Sequence, residues 1–331
     1  MSKLTEIITE YRRLGISDQI DYDKIYLYSI ITHSTAVEGS TVTEVENRLM
    51  FDDGISPNKP LVEQLMNIDL KNAYVEALAL AAQHTDYSVR LLCHLSSMVM
   101  KNTGSEYNTM AGKFNSAEGD LRLLNVTAGR GGKSYISFKK VPQRLEDFCN
   151  WLNLKRKEVS AGKIEKIYEL SFMAHYNLVY IHPWADGNGR MARLMMNHLQ
   201  FEFGLIPAKV LKEDKGEYIN ALIATRENED IHYFVDFMTE EMVKTVSSDI
   251  DAFLKSTEES GEKKPENREK KQKSREKILT LLKQDPSFTT RKLAEAIGIT
   301  PKAIEKQLSK LKAEGLIERV GPDKGGKWKV L

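Results

Sequence analysis

A polar segment rich in charge separates the C-terminal part of the chain from the rest. Residues Ser256 to Ser274 read STEESGEKKPENREKKQKS and contain almost no apolar side chain, so they cannot bury enough surface to offset the entropy lost on folding. The whole chain has 331 residues, which is more than one compact core usually holds. We therefore predict a large N-terminal body, a linker over residues 251–274 and a small C-terminal domain.

Charge is divided unevenly between these two parts. Residues 256–331 carry 19 Lys and Arg against 12 Asp and Glu, a balance of +7, whereas residues 1–255 have a balance of −6. A basic domain of this kind favours contact with an anionic partner such as DNA. The overall composition, with 41% hydrophobic and 29% charged residues, excludes a disordered, collagenous or fibrous protein.

Cysteine usage and hydropathy bear on the compartment. Cys93 and Cys149 stand far apart with no CxxC or Cys/His spacing, so the sequence predicts neither a disulfide framework nor a zinc site and suits a reducing environment. No segment approaches the roughly 20 consecutive apolar residues that span a bilayer, and the N-terminus lacks the apolar stretch of a signal peptide. We expect a cytoplasmic protein without membrane association.

The body is patterned as helices with one exception. Apolar residues recur at helical spacing in several segments, as at Leu4, Ile7, Ile8 and Tyr11, which predicts a mainly α fold. From Leu121 to Pro142, β-favouring runs flank a Gly-Arg-Gly-Gly turn, a pattern typical of a β-hairpin. Taken alone, this hairpin could equally be a surface decoration.

The segment from Ile181 to Arg193 reads IHPWADGNGRMAR and carries the residue types of a phosphate site. Gly187 and Gly189 bracket Asn188 and permit left-handed backbone angles, and the apolar spacing that follows predicts a helix starting near Gly189 or Arg190. A glycine-rich turn that leads into a helix N-terminus binds anions through its N–H groups.

Charged and titratable side chains surround this predicted turn. Arg190 and Arg193 share one face of the first helical turn, where two cations at the positive end of the helix dipole are unfavourable unless an anion compensates them. Asp186 supplies a hard oxygen suited to Mg²⁺, and His182 can take up a proton near neutral pH. Each of these features alone could be structural, since such a turn can simply cap a helix and paired arginines can face solvent.

This segment resembles the HPFxDGNGRxxR signature of Fic-domain proteins, and the resemblance extends over roughly residues 25–240. It implies a helical bundle with a small β-hairpin flap, and transfer of AMP from ATP to a Ser, Thr or Tyr hydroxyl of a target protein held along the flap. By position, His182 would be the general base and Asp186 the Mg²⁺ ligand. The nucleotide would contact Glu38, Val126, Thr127, Ala128, Gly129, Asp186, Gly187, Asn188, Gly189, Arg190, Met191, Ala192, Arg193 and Tyr218.

Three positions qualify the resemblance. Trp184 stands where the signature usually has Phe, and its larger indole could shift the loop. Gly189 stands where some relatives carry Lys, and the resemblance then implies that glycine goes with AMP transfer rather than phosphate transfer. Tyr218 lies where similar proteins place an aromatic ring against the base, but its spacing from Leu222 fits a core residue equally well.

A second motif lies upstream, where Thr32 to Gly39 reads THSTAVEG. The pattern predicts a helix with Gly39 as its C-terminal cap and with Ser34 and Glu38 on one face. It is similar to the Fic inhibitory motif [S/T]xxxE[G/N], which implies that Glu38 pairs with Arg193 and keeps it from the γ-phosphate. The same carboxylate could instead activate water for removal of AMP, and the alternative is an ordinary exposed helical glutamate.

The tail resembles a winged helix-turn-helix, with Thr300 as an N-cap and Pro301 at the first helical position. On that resemblance DNA would contact the recognition helix and the wing, through Lys302, Lys306, Lys310, Lys324, Lys327 and Lys329. The alternative is an interaction or dimerisation module without DNA binding, and a homodimer is expected only by analogy with two-fold DNA sites.

These readings divide the chain into four ranges. They are an N-terminal helical region with the inhibitory helix (1–100), a Fic core (101–250), the linker (251–274) and the winged helix-turn-helix (275–331). An alternative to the enzyme is a nucleotide-sensing transcriptional regulator that uses the same core.

Overall fold

The computed structural model describes most of the chain as two compact units. The described residues are 2–19, 21–128, 132–159, 163–259, 277–286, 288–297, 304–305, 307–308, 311–312, 316–320 and 327–330. The first unit comprises Ile16–Asp251 with Met1–Arg12, and the second comprises Ala252–Leu331 with Arg13–Gly15.

The first unit is a bundle of α-helices, which confirms the predicted mainly α class. In chain order they are α1 (Lys3–Arg13), α2 (Tyr22–Val37), α3 (Glu44–Asp52), α4 (Leu61–Ala82), α5 (Val89–Val99), α6 (Val141–Val159), α7 (Ile164–Ile181), α8 (Asn188–Glu202), α9 (Lys215–Asn228) and α10 (His232–Glu259). None of these described helices is long and apolar enough to cross a membrane.

Helix α8 lies at the centre of the bundle, packed against α4 and α7. Its residues from Arg190 to Gln200 are buried, including polar ones, and buried polar groups need hydrogen-bond partners. Asn197 Oδ1 accepts from the Tyr74 hydroxyl at 2.7 Å, and His198 Nδ1 lies 2.7 Å from the Tyr87 hydroxyl. The loop that precedes α8 is therefore attached to a fixed element of the core.

Helix α2 ends as the sequence predicts. Its last residue is Val37, Glu38 follows as the C-cap, and Gly39 adopts a φ of 107°. A position with a positive φ just after a helix favours glycine, because the backbone of a residue with a side chain would be strained there.

The β structure differs from the prediction. Between Leu121 and Pro142 the two arms meet at one isolated bridge, Thr127 with Ser134, and the described residues of both arms form no strand. The carbonyls of Leu124 and Ile136 accept hydrogen bonds from the Arg122 side chain instead, so these groups are not available to a ladder. Pro142 lies in the first turn of α6 rather than closing a strand, a position that proline tolerates.

A hairpin that the periodicity did not reveal lies just upstream, from β1 (Glu106–Thr109) to β2 (Gly112–Asn115). The strands pair antiparallel, and Tyr107 lies opposite Phe114 with the ring centroids 4.7 Å apart. With four residues each and mostly polar sequences, EYNT and GKFN, the strands lack the alternation by which strands are recognised.

In the second unit, residues 277–284 are helical, a further helix spans Thr290–Ile297, and β3 (Ile317–Val320) pairs antiparallel with β4 (Lys327–Val330). One apolar cluster holds them together: Ile278, Leu282, Leu293, Ala294, Ile304, Leu308, Leu311 and Ile317. This order fits the predicted winged helix-turn-helix. Lys302, Lys306, Lys310 and Lys324 lie outside the described residues, whereas Lys327 and Lys329 are exposed on β4.

Helix α10 continues to Glu259, so the first part of the range predicted as a linker is helical. The buried ring of Phe253 explains the extension, because burying a large apolar side chain stabilises the helix that carries it. The remainder of the predicted linker, residues 260–274, lies outside the described residues.

A buried polar cluster joins α2 to α3 and α4 beneath the turn that ends α2. Asn67 Oδ1 accepts from Thr35 Oγ1 and from Asn47 Nδ2, both at 2.8 Å. Asn67 Nδ2 donates to Ser40 Oγ at 3.1 Å and to the carbonyl oxygen of Glu63 at 2.8 Å. Asn47 and Asn67 are fully buried, so water cannot replace these bonds.

We expect Asn67→Ala to lower the free energy of unfolding by about 2 kcal/mol, because the substitution leaves buried donors without an acceptor. The measurement is urea unfolding followed by circular dichroism. Asn58→Ala, at an exposed loop position, is the matched control and should change stability by less than about 0.5 kcal/mol. Equal effects of the two substitutions would show that the cluster contributes nothing.

Candidate active site

The loop between α7 and α8 is held by hydrogen bonds from a buried tryptophan. Trp184 is fully buried, and its backbone N–H donates to Asn188 Oδ1 at 3.1 Å while Asn188 Nδ2 donates back to the Trp184 carbonyl at 2.9 Å. The indole N–H donates to the Gly119 carbonyl at 3.1 Å. The Trp at the usual Phe position is therefore accommodated, since its one polar atom has a buried acceptor.

His182 follows the last residue of α7 in a left-handed conformation, with φ 52° and ψ 62°. Its Nδ1 lies 3.3 Å from the Val179 carbonyl. A carbonyl can only accept, so Nδ1 carries the proton and Nε2 keeps the lone pair that a base requires.

Burial lowers the pKa of His182 to about 4, with a smaller contribution from the nearby Arg122 guanidinium. The Val179 carbonyl, Asp186 and Glu38 act in the opposite direction. The imidazole is therefore neutral at physiological pH.

The turn after His182 leads into the N-terminus of α8. Gly187 has a φ of 77°, and α8 begins at the next residue. The first N–H groups of a helix, here those of Asn188, Gly189 and Arg190, have no preceding carbonyl to bond. They therefore present the positive end of the α8 dipole to an anion.

Arg190 is buried but has few partners. Its guanidinium contacts the Val99 carbonyl at 3.4 Å and the Met100 sulfur at 3.1 Å, and within the described part of the chain its Nε has no hydrogen-bond partner. Burial lowers the pKa of Arg190. A buried cation with an unbonded Nε and only weak contacts to its other nitrogens, next to a helix N-terminus, is suited to an anionic ligand.

Arg193, one turn further along α8, bonds the end of α2. Its Nε donates to Ser34 Oγ at 2.8 Å, and its Nη2 donates to the Ser34 carbonyl at 2.9 Å and to Glu38 Oε1 at 2.5 Å. Burial alone would raise the pKa of Glu38, but the Arg193 guanidinium, together with the charges of Arg190 and Lys215, outweighs burial and lowers it. Arg193 and Glu38 thus form a charged pair, as the inhibitory motif predicts.

Gly189 lies directly beside this pair. A Cβ atom at Gly189 would stand 2.5 Å from Glu38 Oε1 and 3.1 Å from Arg193 Nη1. Only glycine leaves room for the contact as it stands.

Asp186 is the one acidic side chain of the loop. Its side chain is 63% exposed, with Oδ2 3.9 Å from Arg190 Nη2, and Oδ1 accepts from the Gly187 N–H at 2.6 Å. Over the described residues, no group of three or more His, Cys, Asp or Glu could hold a metal. A single exposed carboxylate fits Mg²⁺, which usually keeps several waters and takes phosphate oxygens as further ligands.

The remaining predicted site residues differ in exposure. Val126, Thr127 and Ala128 lie on the flap arm that forms the bridge to Ser134, and Gly129 lies outside the described residues. Met191 and Ala192 are fully buried, so only their backbone is near the turn.

Tyr218 is 2% exposed, and its hydroxyl lies 3.1 Å from His175 Nε2 and 3.5 Å from Arg193 Nη1. These contacts favour the core alternative that the sequence left open. The contact between Tyr218 and a base stays a prediction.

Three residues of the site were missed by the motif analysis. The ring of Tyr135 stacks on His182, with centroids 3.8 Å apart and planes inclined by 16°. Arg122 donates to the carbonyls of His182, Leu124 and Ile136 at 2.6 to 2.7 Å, and Arg226 donates to those of Lys133 and Ser134. The contacts of Tyr135 and Arg122 with His182, and those of Arg226 with Lys133 and Ser134, join segments far apart in the sequence, so no local pattern reveals them.

A neutral imidazole next to a turn with unbonded N–H groups is the arrangement that chemistry on a phosphate ester requires. Residues 86–200 match the Fic/DOC family, and residues 271–318 match a winged helix-turn-helix DNA-binding family. The chain therefore contains a Fic domain, and its tail is of the winged helix-turn-helix type.

Similar proteins include curated adenylyltransferases. The chain is 28% identical over 201 residues to protein adenylyltransferase fic-1 of Caenorhabditis elegans, which covers 60% of this chain and 35% of that protein. It is 26% identical over 229 residues to protein adenylyltransferase Fic of Drosophila erecta, which covers 65% and 40%. The chain thus spans well under half the length of these relatives.

Solved structures share the fold. A Fic domain containing signaling protein from Bacteroides thetaiotaomicron superposes with a TM-score of 0.63 at 21% identity, covering 76% of this chain and 96% of that one. A Fic family protein from Desulfovibrio desulfuricans covers 99% and 94%, with a TM-score of 0.56 and 18% identity.

We expect His182 to titrate near pH 4, because its burial disfavours the imidazolium. The measurement is a nuclear magnetic resonance titration of the full chain with labelled histidine, in which the His182 signal is assigned by its loss in His182→Ala. Above pH 5.5 this signal should barely move. Since the folded pKa lies below the unfolded one, this group lowers the stability of the fold as the pH falls from about 6.5 towards 4. A midpoint near 6.5 would contradict the description of the site.

Proposed function

We propose that this chain is a Mg²⁺-dependent protein adenylyltransferase that transfers AMP from ATP to a Ser, Thr or Tyr hydroxyl of a target protein. Two features of one site carry the proposal. His182 is neutral and its Nε2 keeps its lone pair, and Arg190 at the α8 N-terminus has a buried Nε without a hydrogen-bond partner among the described residues. The homology to protein adenylyltransferases supports the same reaction.

The general base and the anion-binding turn at the start of α8 have separate roles in the proposed reaction. His182 Nε2 takes the proton of the target hydroxyl, whose oxygen forms a bond to the α-phosphorus of ATP. The bond from that phosphorus to the oxygen bridging to the β-phosphate breaks, and pyrophosphate leaves with the electron pair. The N–H groups at the start of α8, with Arg190 and Arg193, stabilise the charge on the phosphates.

Asp186 would hold Mg²⁺ through its exposed carboxylate. The ion would neutralise phosphate charge when bound. Because Oδ1 already accepts from Gly187 N–H, the carboxylate is oriented before the ion arrives.

Glu38 restrains the reaction. While Arg193 bonds Glu38 and Ser34, its donors are unavailable to the γ-phosphate, and ATP would bind without the alignment that in-line transfer requires. The pair leaves no buried charge uncompensated, because Glu38 supplies the anion that the buried Arg193 needs.

The flap would hold the target. A target segment would lie along the arm at Val126 to Gly129 by strand addition, in which main-chain hydrogen bonds provide affinity. Thr127 and Ala128 are exposed there. A cytoplasmic location and a homodimer remain predictions.

The test uses ATP labelled at the α- or the γ-phosphate, with Mg²⁺ and denaturing separation of the products. Glu38→Gly should increase label from the α-phosphate at least about tenfold, since it frees Arg193. Adding His182→Ala should lower it by roughly 10²-fold or more, the usual contribution of a general base. Label from the γ-phosphate would instead indicate phosphate transfer. ATP binding without any label would reject the proposal and favour the nucleotide sensor.

Removal of AMP is the alternative direction, in which Glu38 activates water. It predicts loss of label from an already modified protein in the parent chain but not in Glu38→Gly. The two outcomes separate addition from removal with the same variants.

A second proposal concerns the tail, which we infer binds DNA. The match to a DNA-binding family and the exposed Lys327 and Lys329 on β4 support it. We expect Lys327→Ala combined with Lys329→Ala to weaken binding of the full chain to duplex DNA and to reduce its salt dependence, because phosphate contacts release counterions. Lys139→Ala, an exposed site in the first unit, is the control. Absence of binding by the parent chain at low salt would favour the interaction module.

A further inference from the structure

We infer that Tyr135 is a positioning residue for the base: its ring fixes the plane of the His182 imidazole, and two arginines hold the tyrosine in place. The inference rests on the proposed function only in that it takes His182 to be the base. It adds a residue outside the signature and outside the flap edge expected to meet the nucleotide.

The His182 ring needs a second restraint. Within the described part of the chain, the hydrogen bond of the imidazole runs from Nδ1 to the Val179 carbonyl and is 3.3 Å long, which is slightly beyond the usual range for N–H···O. The residue also adopts a left-handed φ of 52°, so its side chain does not lie in the normal helical direction. A single long hydrogen bond leaves the ring free to tilt about it.

Stacking supplies the missing restraint. The rings of Tyr135 and His182 are 3.8 Å apart at the centroids and nearly parallel, inclined by 16°. This contact covers one face of the imidazole and leaves the ring edge, with Nε2, to receive a proton. It also removes that face from water, which keeps the neutral form favoured.

The tyrosine is itself held by its own segment and by α9. The Tyr135 N–H donates to the Val126 carbonyl at 3.0 Å. Arg226, on α9, donates to the carbonyl of Lys133 at 3.3 Å and to that of Ser134 at 2.5 Å, and its guanidinium lies 5.5 Å from the centre of the Tyr135 ring. A cation over an aromatic face is attracted to it.

Arg122 ties the same arm to the base. Its Nη2 donates to the Ile136 carbonyl, next to Tyr135, at 2.6 Å, and its Nε donates to the His182 carbonyl at 2.7 Å. Arg122 is 1% exposed, so these bonds do not exchange with water. One rigid guanidinium therefore sets the spacing between the tyrosine and the histidine.

The charged groups near His182 do not account for its neutral state by themselves. Arg122 lowers the pKa of His182, while Asp186 and Glu38 raise it, and burial is the largest cause of the shift. Tyr135 covers one face of the ring, so its removal should raise the pKa of His182 even though no charge is changed.

The test is the titration of His182 in the full chain, compared among variants by nuclear magnetic resonance. Tyr135→Ala should raise the midpoint by about one unit or more, because it uncovers the imidazole, whereas Tyr135→Phe keeps the ring and should leave the midpoint in place. Arg226→Gln should raise the midpoint by less than Tyr135→Ala. Arg144→Gln, an exposed arginine on α6, is the matched control.

Activity gives a second readout in the Glu38→Gly background. Tyr135→Ala should lower the rate of AMP transfer by about tenfold or more with little change in the KM for ATP, because the base and not the nucleotide is displaced. Thermal unfolding checks that each variant is folded. If Tyr135→Ala does not fold, Arg226→Gln tests in its place whether the position of Tyr135 affects the rate.

The inference is overturned if Tyr135→Ala leaves the His182 midpoint unchanged, or if Tyr135→Phe shifts it as much. It is also overturned if His182 already titrates near pH 6.5 in the parent chain. Failure of AMP transfer in every variant, with the titration as expected, would reject the proposed function and leave the positioning of His182 by Tyr135 intact.

Discussion

The site is organised around a buried positive charge that must have a counterion. Arg193 is buried on α8, where the adjacent helix N-terminus is itself positive, and an unpaired charge there would be strongly unfavourable. Glu38 provides the negative charge at 2.5 Å. Under the proposed function, phosphate would replace Glu38 by competing for the same donors, so restraint and substrate binding would be alternative ways to supply the negative charge that Arg193 requires.

The two sides of the site differ in how they are held. The α8 side is fixed by the core, through the paired hydrogen bonds of Trp184 with Asn188. The flap side is fixed by arginine donors, since Arg122 and Arg226 occupy its carbonyls. The α8 side is therefore rigid, whereas the position of the flap depends on a few side chains. Under the proposed function, such a flap would suit binding of varied target segments.

Local patterns were sufficient where neighbours in sequence decide the structure. The end of α2 with Gly39 and the start of α8 within two residues of Gly189 follow from glycine conformation and apolar spacing. They were insufficient at the flap, where β-favouring residues predicted a ladder but the side chain of Arg122, at the start of the same segment, donates to the carbonyls of Leu124 and Ile136. The β1–β2 hairpin was missed because Tyr107 and Phe114 stabilise it by facing each other, a cross-strand contact that neither short segment shows alone.

Two departures from ideal structure lie within the site. His182 adopts a left-handed backbone without being glycine, and Arg190 Nε is buried without a partner among the described residues. Each is unfavourable for folding, and under the proposed function each would prepare an atom for chemistry: Nε2 to accept a proton and the guanidinium to receive an anion. The well-bonded core residues elsewhere in α8 offset this loss of stability at the site.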